Sequence, residues 1–355
     1  MLRNLQLLRF IAAFLVLVYH SRKVFTALGG DSDWLMAVAQ YGGFGVDIFF
    51  VISGFVIWHT TFGQAGKSIH CLSFVRRRLF RIYLGYWPYY LLAALALLYI
   101  GERDPAVIDW WRSFFLINPT IKHQVLGVSW SLAYELYFYA LFTPLLLLSR
   151  NTARNLIIVM LVVVIVINKL VLTHKLGIGI VLSPYLIEFF AGCLIAIFMQ
   201  RMNSRVVIAA LVVVMVAALF YAVNYASRFN MGRIEGFGVV AISLVALMVL
   251  LENRGLYQAG RWLTFLGDSS YSLYLSHFIV ITLLMSFLKG VDLALGQPLV
   301  WIIYWAFLLF IIAISALNYH YIERPLYRYA LKYWPSPALR QRLKGVPKPV
   351  GNKPE

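Results

Sequence analysis

The chain has 355 residues, 62% of them hydrophobic, and a formal charge of +17. Soluble domains are about 45–50% apolar, so the excess excludes an ordinary soluble enzyme. The basic balance would suit nucleic acid, but no basic soluble module is present. The two cysteines, Cys71 and Cys193, form neither a metal-type spacing nor a disulfide framework, and both are expected to pack.

In chain order, ten segments are apolar enough to cross a bilayer, which takes about 20 residues. They lie near 6–22, 42–60, 80–100, 128–148, 155–173, 183–200, 205–224, 235–252, 266–288 and 298–321. The first resembles a signal peptide, with Arg3 and Arg9 ahead of the apolar run Phe10 to Tyr19. Nine later segments follow, so it reads as a retained span. No loop is large enough for a soluble domain. The expectation is an all-α, polytopic bundle over residues 1–327 and a basic tail, 328–355, disordered toward its end.

Charge placement sets the orientation. The N-terminus, the even-numbered loops and the tail hold 21 of the 31 Lys and Arg residues. The remaining ten lie on the other side, beside seven acids, among them Glu102, Glu235 and Asp292. The positive-inside rule then puts both termini in the cytoplasm. The basic charge is thus a topology signal before it is a binding surface.

Ionisable groups inside spans are costly and mark function. Arg9 and His20 bracket the first span, eleven residues apart. That is close to three helical turns, so they share a face about 16 Å apart along the axis. Asp47 sits in the glycine-rich stretch Gly42 to Phe55, in the outer half of the second span. Ser53 and Gly54 of that stretch read as packing residues. Glu135 sits among the aromatics of Trp130 to Tyr139, at a depth expected to match Asp47. Glu188, in the sixth span, reads equally well as one structural hydrogen bond. His277 closes Tyr271-Ser-Leu-Tyr274-Leu-Ser-His277, which suggests either a packed core histidine or a polar cavity. On the cytoplasmic side, Arg76, Arg77, Arg78 and Arg81 open the third span. Arg78 and Arg81 are three residues apart and share a helix face, a fork suited to phosphates or, more plainly, to anionic lipid.

Taken together, these residues resemble the acyltransferase family 3 membrane proteins. The resemblance rests on Arg9 and His20, on GGFGVDIFFVISGFVI at 42–57, RRRLFRIY at 76–83, WSLAYELYFY at 130–139, SYSLYLSH at 270–277 and IERP at 322–325. It covers residues 5 to 327. Gln6 stands where many members carry Asp, and Leu84 where many carry Pro. Some members append an extracellular hydrolase-like domain; here only the short tail follows the last span.

The resemblance implies transfer of an acyl group, usually acetyl, from cytoplasmic acetyl-CoA to a carbohydrate hydroxyl at the bacterial inner membrane. Acceptors of this kind include O-antigen and exopolysaccharide, free or lipid-linked. Arg78 and Arg81, with Arg77 beside them, would hold CoA. Arg9, His20 and Glu135 match positions linked to activity, and Glu323 lies in the IERP element. A sugar hydroxyl needs a base to take its proton, and His20 is the expected base. Glu135 or Asp47 is expected to fix its tautomer, the logic of a triad. Oxyanion donors would come from Tyr or Trp groups near Trp130, or from His277; Tyr274 is expected to contact substrate or to serve as a structural polar group. No metal is expected. The rival readings are an acyltransferase acting on a small molecule or lipid head group, and a transporter or flippase.

Overall fold

The computed structural model describes residues 2–62, 71–101, 104–117, 120–170, 180–199, 201, 204–225, 230–291, 293 and 295–333. Lys67, Glu102, Asp292 and the end of the tail therefore lie outside the described residues.

The helices in chain order are α1 Arg3–Ala27, α2 Asp33–Ala39, α3 Gly45–Thr61, α4 Cys71–Ile100, α5 Trp110–Phe114, α6 Trp130–Phe142, α7 Arg150–Lys169 and α8 Tyr185–Phe198. There follow α9 Arg205–Asn224, α10 Val239–Asn253, α11 Arg261–Asp268, α12 Ser270–Leu288, α13 Gln297–Asn318 and α14 Arg324–Tyr333. The described residues hold no strand. Each of the ten expected spans carries a helix, and among the described residues eight helices are long and apolar enough to cross a membrane. The other two are shorter: α6, prolonged by the 3₁₀ turn Thr143–Leu147, and α8. The fold is an all-α polytopic bundle.

Polar groups explain where the helices begin. The start of α1 has no side-chain cap of its own. Glu252, at the end of α10, takes the Arg3 and Asn4 amides at 2.9 and 2.7 Å, which satisfies orphan donors of the first turn. Ser149 and Ser204 cap α7 and α9 in the ordinary way. Three boundaries differ from the sequence reading. Arg76 to Arg81 lie within α4 rather than at its start. The ninth segment is broken at Ser269, between α11 and α12. The last helix continues through a π turn, Tyr319–Glu323, into α14, so the tail is helical to Tyr333.

Glycines set the closest approaches. A Cβ on Gly54 would lie 1.9 Å from the Phe189 carbonyl oxygen, and one on Gly192 2.0 Å from that of Val51. Helices α3 and α8 therefore touch backbone to backbone, an approach that small residues allow. On the outside, α9 leaves Val206, Val213, Val216 and Phe220 exposed, as a lipid-facing helix must.

The segment between α4 and α6, expected as a surface loop, folds back into the bundle. Tyr83 donates to the Phe115 carbonyl (2.8 Å), Tyr86 to Ser113 (2.8 Å), Trp87 to Phe114 (3.3 Å) and Tyr90 to Trp110 (3.1 Å). Tyr83 precedes Ile100 by 17 residues, so the turn at Phe115 lies about 25 Å below that end of α4. Leu116, at the turn, has φ 54°. Non-helical backbone survives at such depth only when protein satisfies its polar groups, and the four aromatic donors of α4 do so.

Candidate functional site

A cavity of about 1050 Å³ runs along α3. Thr60, Thr61, Arg77, Arg78 and Arg81 line one end; Val46, Phe49, Ser131 and Tyr274 line the other. Val46 and Thr61 are 15 residues apart on one helix, so the cavity is about 22 Å long. Arg9, Ser53 and Glu135 lie between its ends.

The arginines are held by different partners. Arg81 forms a 2.8 Å ion pair with Glu323. The second Glu323 oxygen accepts from Ser272 (2.7 Å), which in turn accepts from Asn318 (2.9 Å). Glu323 is presented by the π turn, a distortion common at functional sites. Arg78 donates to Thr60 (3.3 Å), and its guanidinium lies 5.4 Å from the ring centres of Phe74 and Tyr139. Arg9 donates to the Gln6 amide oxygen (3.3 Å), while the Gln6 NH₂ donates to Asp268 (2.5 Å). Arg9 and the arginine cluster of α4 thus share one polar chamber.

The opposite end is closed by aromatic rings. The Tyr274 hydroxyl bonds to the Val128 carbonyl and to Ser131, each at 2.8 Å. Its ring lies 5.8 Å from Phe49 on the cavity side and 5.8 Å from His277 on the other. Beyond this layer, His277 Nε2 and His20 Nδ1 are 3.2 Å apart. Neither histidine lines the cavity. Phe278 stands edge-on to His20, and Gly127 leaves room for the Phe278 ring. The returning segment before α6 thereby braces both Tyr274 and Phe278.

Several expected roles need correction. Neither Glu135 nor Asp47 touches His20. Glu135 accepts from Ser53 (3.1 Å) and from Tyr139. Ser53 is six residues beyond Asp47 on α3, so Glu135 lies about 9 Å nearer the arginine end than Asp47, not level with it. Ser53 is a cavity residue rather than packing alone, whereas Gly54 packs as expected. Asp47 is fully buried and bound by Arg233 through two bonds, 3.0 and 2.5 Å; Arg233 also donates to the Gly43 carbonyl (2.8 Å). Glu188 is buried over Gly238 and faces Asp47, the one side-chain partner its position offers among the described residues. The Trp130 ring packs on Phe50, Tyr134 and Tyr185 and does not line the cavity. Arg9 and His20 fall on opposite sides of the Tyr274 layer. Both cysteines pack: Cys193 donates to Gly54 and Cys71 to Thr143.

Sequence reasoning missed Arg233, counting it as an outer-loop charge. It also missed Asp268 and Tyr139, and treated Gln6 only as a departure from a pattern. The glycines around Arg233, in MGRIEGFG, were the available signal. They mark the π turn Ile234–Gly238, which follows Arg233 directly. No group of three or more metal-ligating residues occurs among the described residues.

A family model described as an acyltransferase domain matches residues 2–320. The chain is 26% identical over 310 residues to the exopolysaccharide production protein ExoZ of Rhizobium meliloti, covering 81% of this chain and 90% of that protein. It is 25% identical over 371 residues to the O-acetyltransferase OatA of Staphylococcus aureus, covering 92% of this chain and 57% of that protein. No solved structure matches.

Proposed function

Because the chain belongs to the acyltransferase family 3 membrane proteins, we propose that it moves an acetyl group from acetyl-CoA to a hydroxyl of an envelope or secreted carbohydrate. Exopolysaccharide is the favoured acceptor class, given the relative matched over 90% of its length. The observation that carries the reading is the cavity: arginines at one end, and a roof one helical turn below a histidine pair at the other.

In this reading the arginine end faces the cytoplasm, as the loop charges require. Arg77, Arg78 and Arg81 take the CoA phosphates, for which guanidinium forks are suited. Thr60 and the Phe74 and Tyr139 rings hold Arg78 in place, and Glu323 holds Arg81. The pantetheine arm lies along α3, past Arg9 and Glu135, with the thioester under Tyr274. The acceptor arrives at the His20 end, from the outer side of the inner membrane.

The chemistry is then direct transfer. The acceptor O–H bond breaks as His20 Nε2 takes the proton. The oxygen attacks the acyl carbon, a C–O bond forms and the C–S bond breaks. The proton passes from His20 to the departing thiolate, so the reaction is proton-neutral. A single aromatic layer separates the cavity from the histidines, which favours direct transfer over an acyl-enzyme carrier: one side-chain movement joins the chambers.

The test uses the protein in nanodiscs with acetyl-CoA and polysaccharide from a strain lacking it. Thiol release coupled to polysaccharide O-acetylation supports the reading. O-acetylation that persists in His20→Ala would sink the assignment of the base. Acetyl-CoA left unconsumed by wild-type protein would sink the transferase reading for this acceptor.

A further inference from the structure

The base lacks the carboxylate partner that the sequence suggested, and the geometry points to a different one. We infer that His277 is the positioning residue for His20: it holds the ring in the Nδ1–H tautomer and leaves Nε2 free to accept the acceptor's proton. The inference rests on the reading of His20 as the base.

The argument starts from two backbone carbonyls. His277 Nδ1 lies 3.0 Å from the Leu273 carbonyl oxygen, and His20 Nδ1 lies 3.0 Å from that of Val16. A carbonyl oxygen only accepts. Each Nδ1 must therefore carry the hydrogen, and in a neutral ring each Nε2 is then an acceptor. His277 Nε2 lies 3.2 Å from His20 Nδ1, so the shared hydrogen of His20 points at both Val16 and His277. The arrangement has one consistent tautomer set, and it exposes a single lone pair, that of His20 Nε2. This is the work a carboxylate does in a hydrolase triad, done here without a second charge.

The local structure explains why His277 can serve. The residue is fully buried, and its ring is packed between Tyr274 and His20. Ser276, its neighbour, is tied to Ser315 of α13 at 2.7 Å. Ser21, the neighbour of His20, is tied to Tyr304 of the same helix at 2.9 Å. Helices α1 and α12 are thus pinned to one support on either side of the histidine contact, which fixes its length.

The test compares three single variants in nanodiscs, with acetyl-CoA and polysaccharide from a strain lacking the protein. His277→Phe keeps a ring but no acceptor. His277→Gln places an amide oxygen near the former Nε2. His20→Ala is the control. A misaligned base costs about 10²-fold, so His277→Phe should lower kcat about 10²-fold with the KM for acetyl-CoA unchanged. His277→Gln should return kcat to within tenfold of wild type. A purely structural residue would instead lower the folded yield or donor affinity in step with activity. A loss below threefold in His277→Phe overturns the inference, as does His277→Gln being no better than His277→Phe. If His20→Ala retains full activity, the base assignment itself fails; if it is inactive while His277→Phe is active, only the present inference fails.

Discussion

Asp47 was a candidate catalytic carboxylate, and its surroundings now assign it to stability. Its side chain is fully buried, and that of Arg233 is 14% exposed. Two bonds join them, and a third ties Arg233 to Gly43 at the entry of α3. Removing one partner of a buried, hydrogen-bonded pair costs about 3–5 kcal/mol, because the other charge is left unpaired. Arg233→Ala should meet that cost in full, since Asp47 then loses its cation and is left beside a second carboxyl, Glu188. Asp47→Asn should cost less, since the amide oxygen can still accept from Arg233. The double replacement Asp47→Leu with Arg233→Met removes both charges and should restore most of the stability. The assay is thermal unfolding in detergent, followed by size-exclusion chromatography with fluorescence detection, arranged as a double-mutant cycle. If Asp47→Asn leaves the melting temperature unchanged yet abolishes acetyl transfer, the structural assignment is wrong and Asp47 belongs to the chemistry.

Arg78→Ala should raise the KM for acetyl-CoA about ten- to a hundredfold, the worth of a charge-assisted bond, with lysine restoring only part of it; equal KM values would leave the segment a lipid anchor. Tyr274→Ala should open the wall between the chambers and speed hydrolysis of acetyl-CoA without acceptor, while Tyr274→Phe keeps the ring and should stay near wild type. Hydrolysis unchanged in Tyr274→Ala would place the route to His20 elsewhere. With both native cysteines replaced, a cysteine at exposed Ala106 should react with an impermeant thiol reagent in intact cells, and one at Tyr329 only after permeabilisation. A cysteine at Ser113, in the same loop as Ala106 but 1% exposed, should stay protected; the opposite pattern at 106 and 329 would invert the bundle.

Helices and cavity residues were legible in the sequence to different degrees. Each of the ten apolar runs carries a helix, because such runs are dictated locally by the bilayer, although α6 and α8 are shorter than a full span. Hydropathy could not see that the segment after Ile100 returns about 25 Å into the bundle, since Ile108 and Leu116, both buried, would look the same in a surface loop. Helical spacing correctly grouped Arg78 with Arg81. The same spacing put Arg9 and His20 on one face, which is true of the helix, but said nothing of the Tyr274 ring between their chambers. Pairings were the least legible. Asp47 with Arg233 joins residues 186 apart, and Arg81 with Glu323 residues 242 apart. Such contacts follow from the packing of α3, α8 and α10 and of α4 against α14, which no local pattern encodes. The partner of His20 was sought among carboxylates because triads supply them, and His277 was read as a packing or cavity residue or as an oxyanion donor.

The separation of Arg9 from His20 also constrains what Arg9 can do. Eleven residues of helix put about 16 Å between them, and side chains lean toward the helix start, which carries the guanidinium farther away. A donor that stabilises an oxyanion must come within about 3 Å of it. Arg9 therefore cannot serve a tetrahedral intermediate formed beside His20. Its guanidinium bonds to an amide rather than to a carboxylate: Arg81 has Glu323, whereas Arg9 meets Gln6, much as Arg78 meets the Thr60 hydroxyl. A cation with spare donors, halfway along a cavity that opens at the arginines of α4, fits a polar segment of the proposed donor. In the proposed reaction the two residues that bracket α1 would thus divide the work, Arg9 holding the donor in its chamber and His20 activating the acceptor in the other.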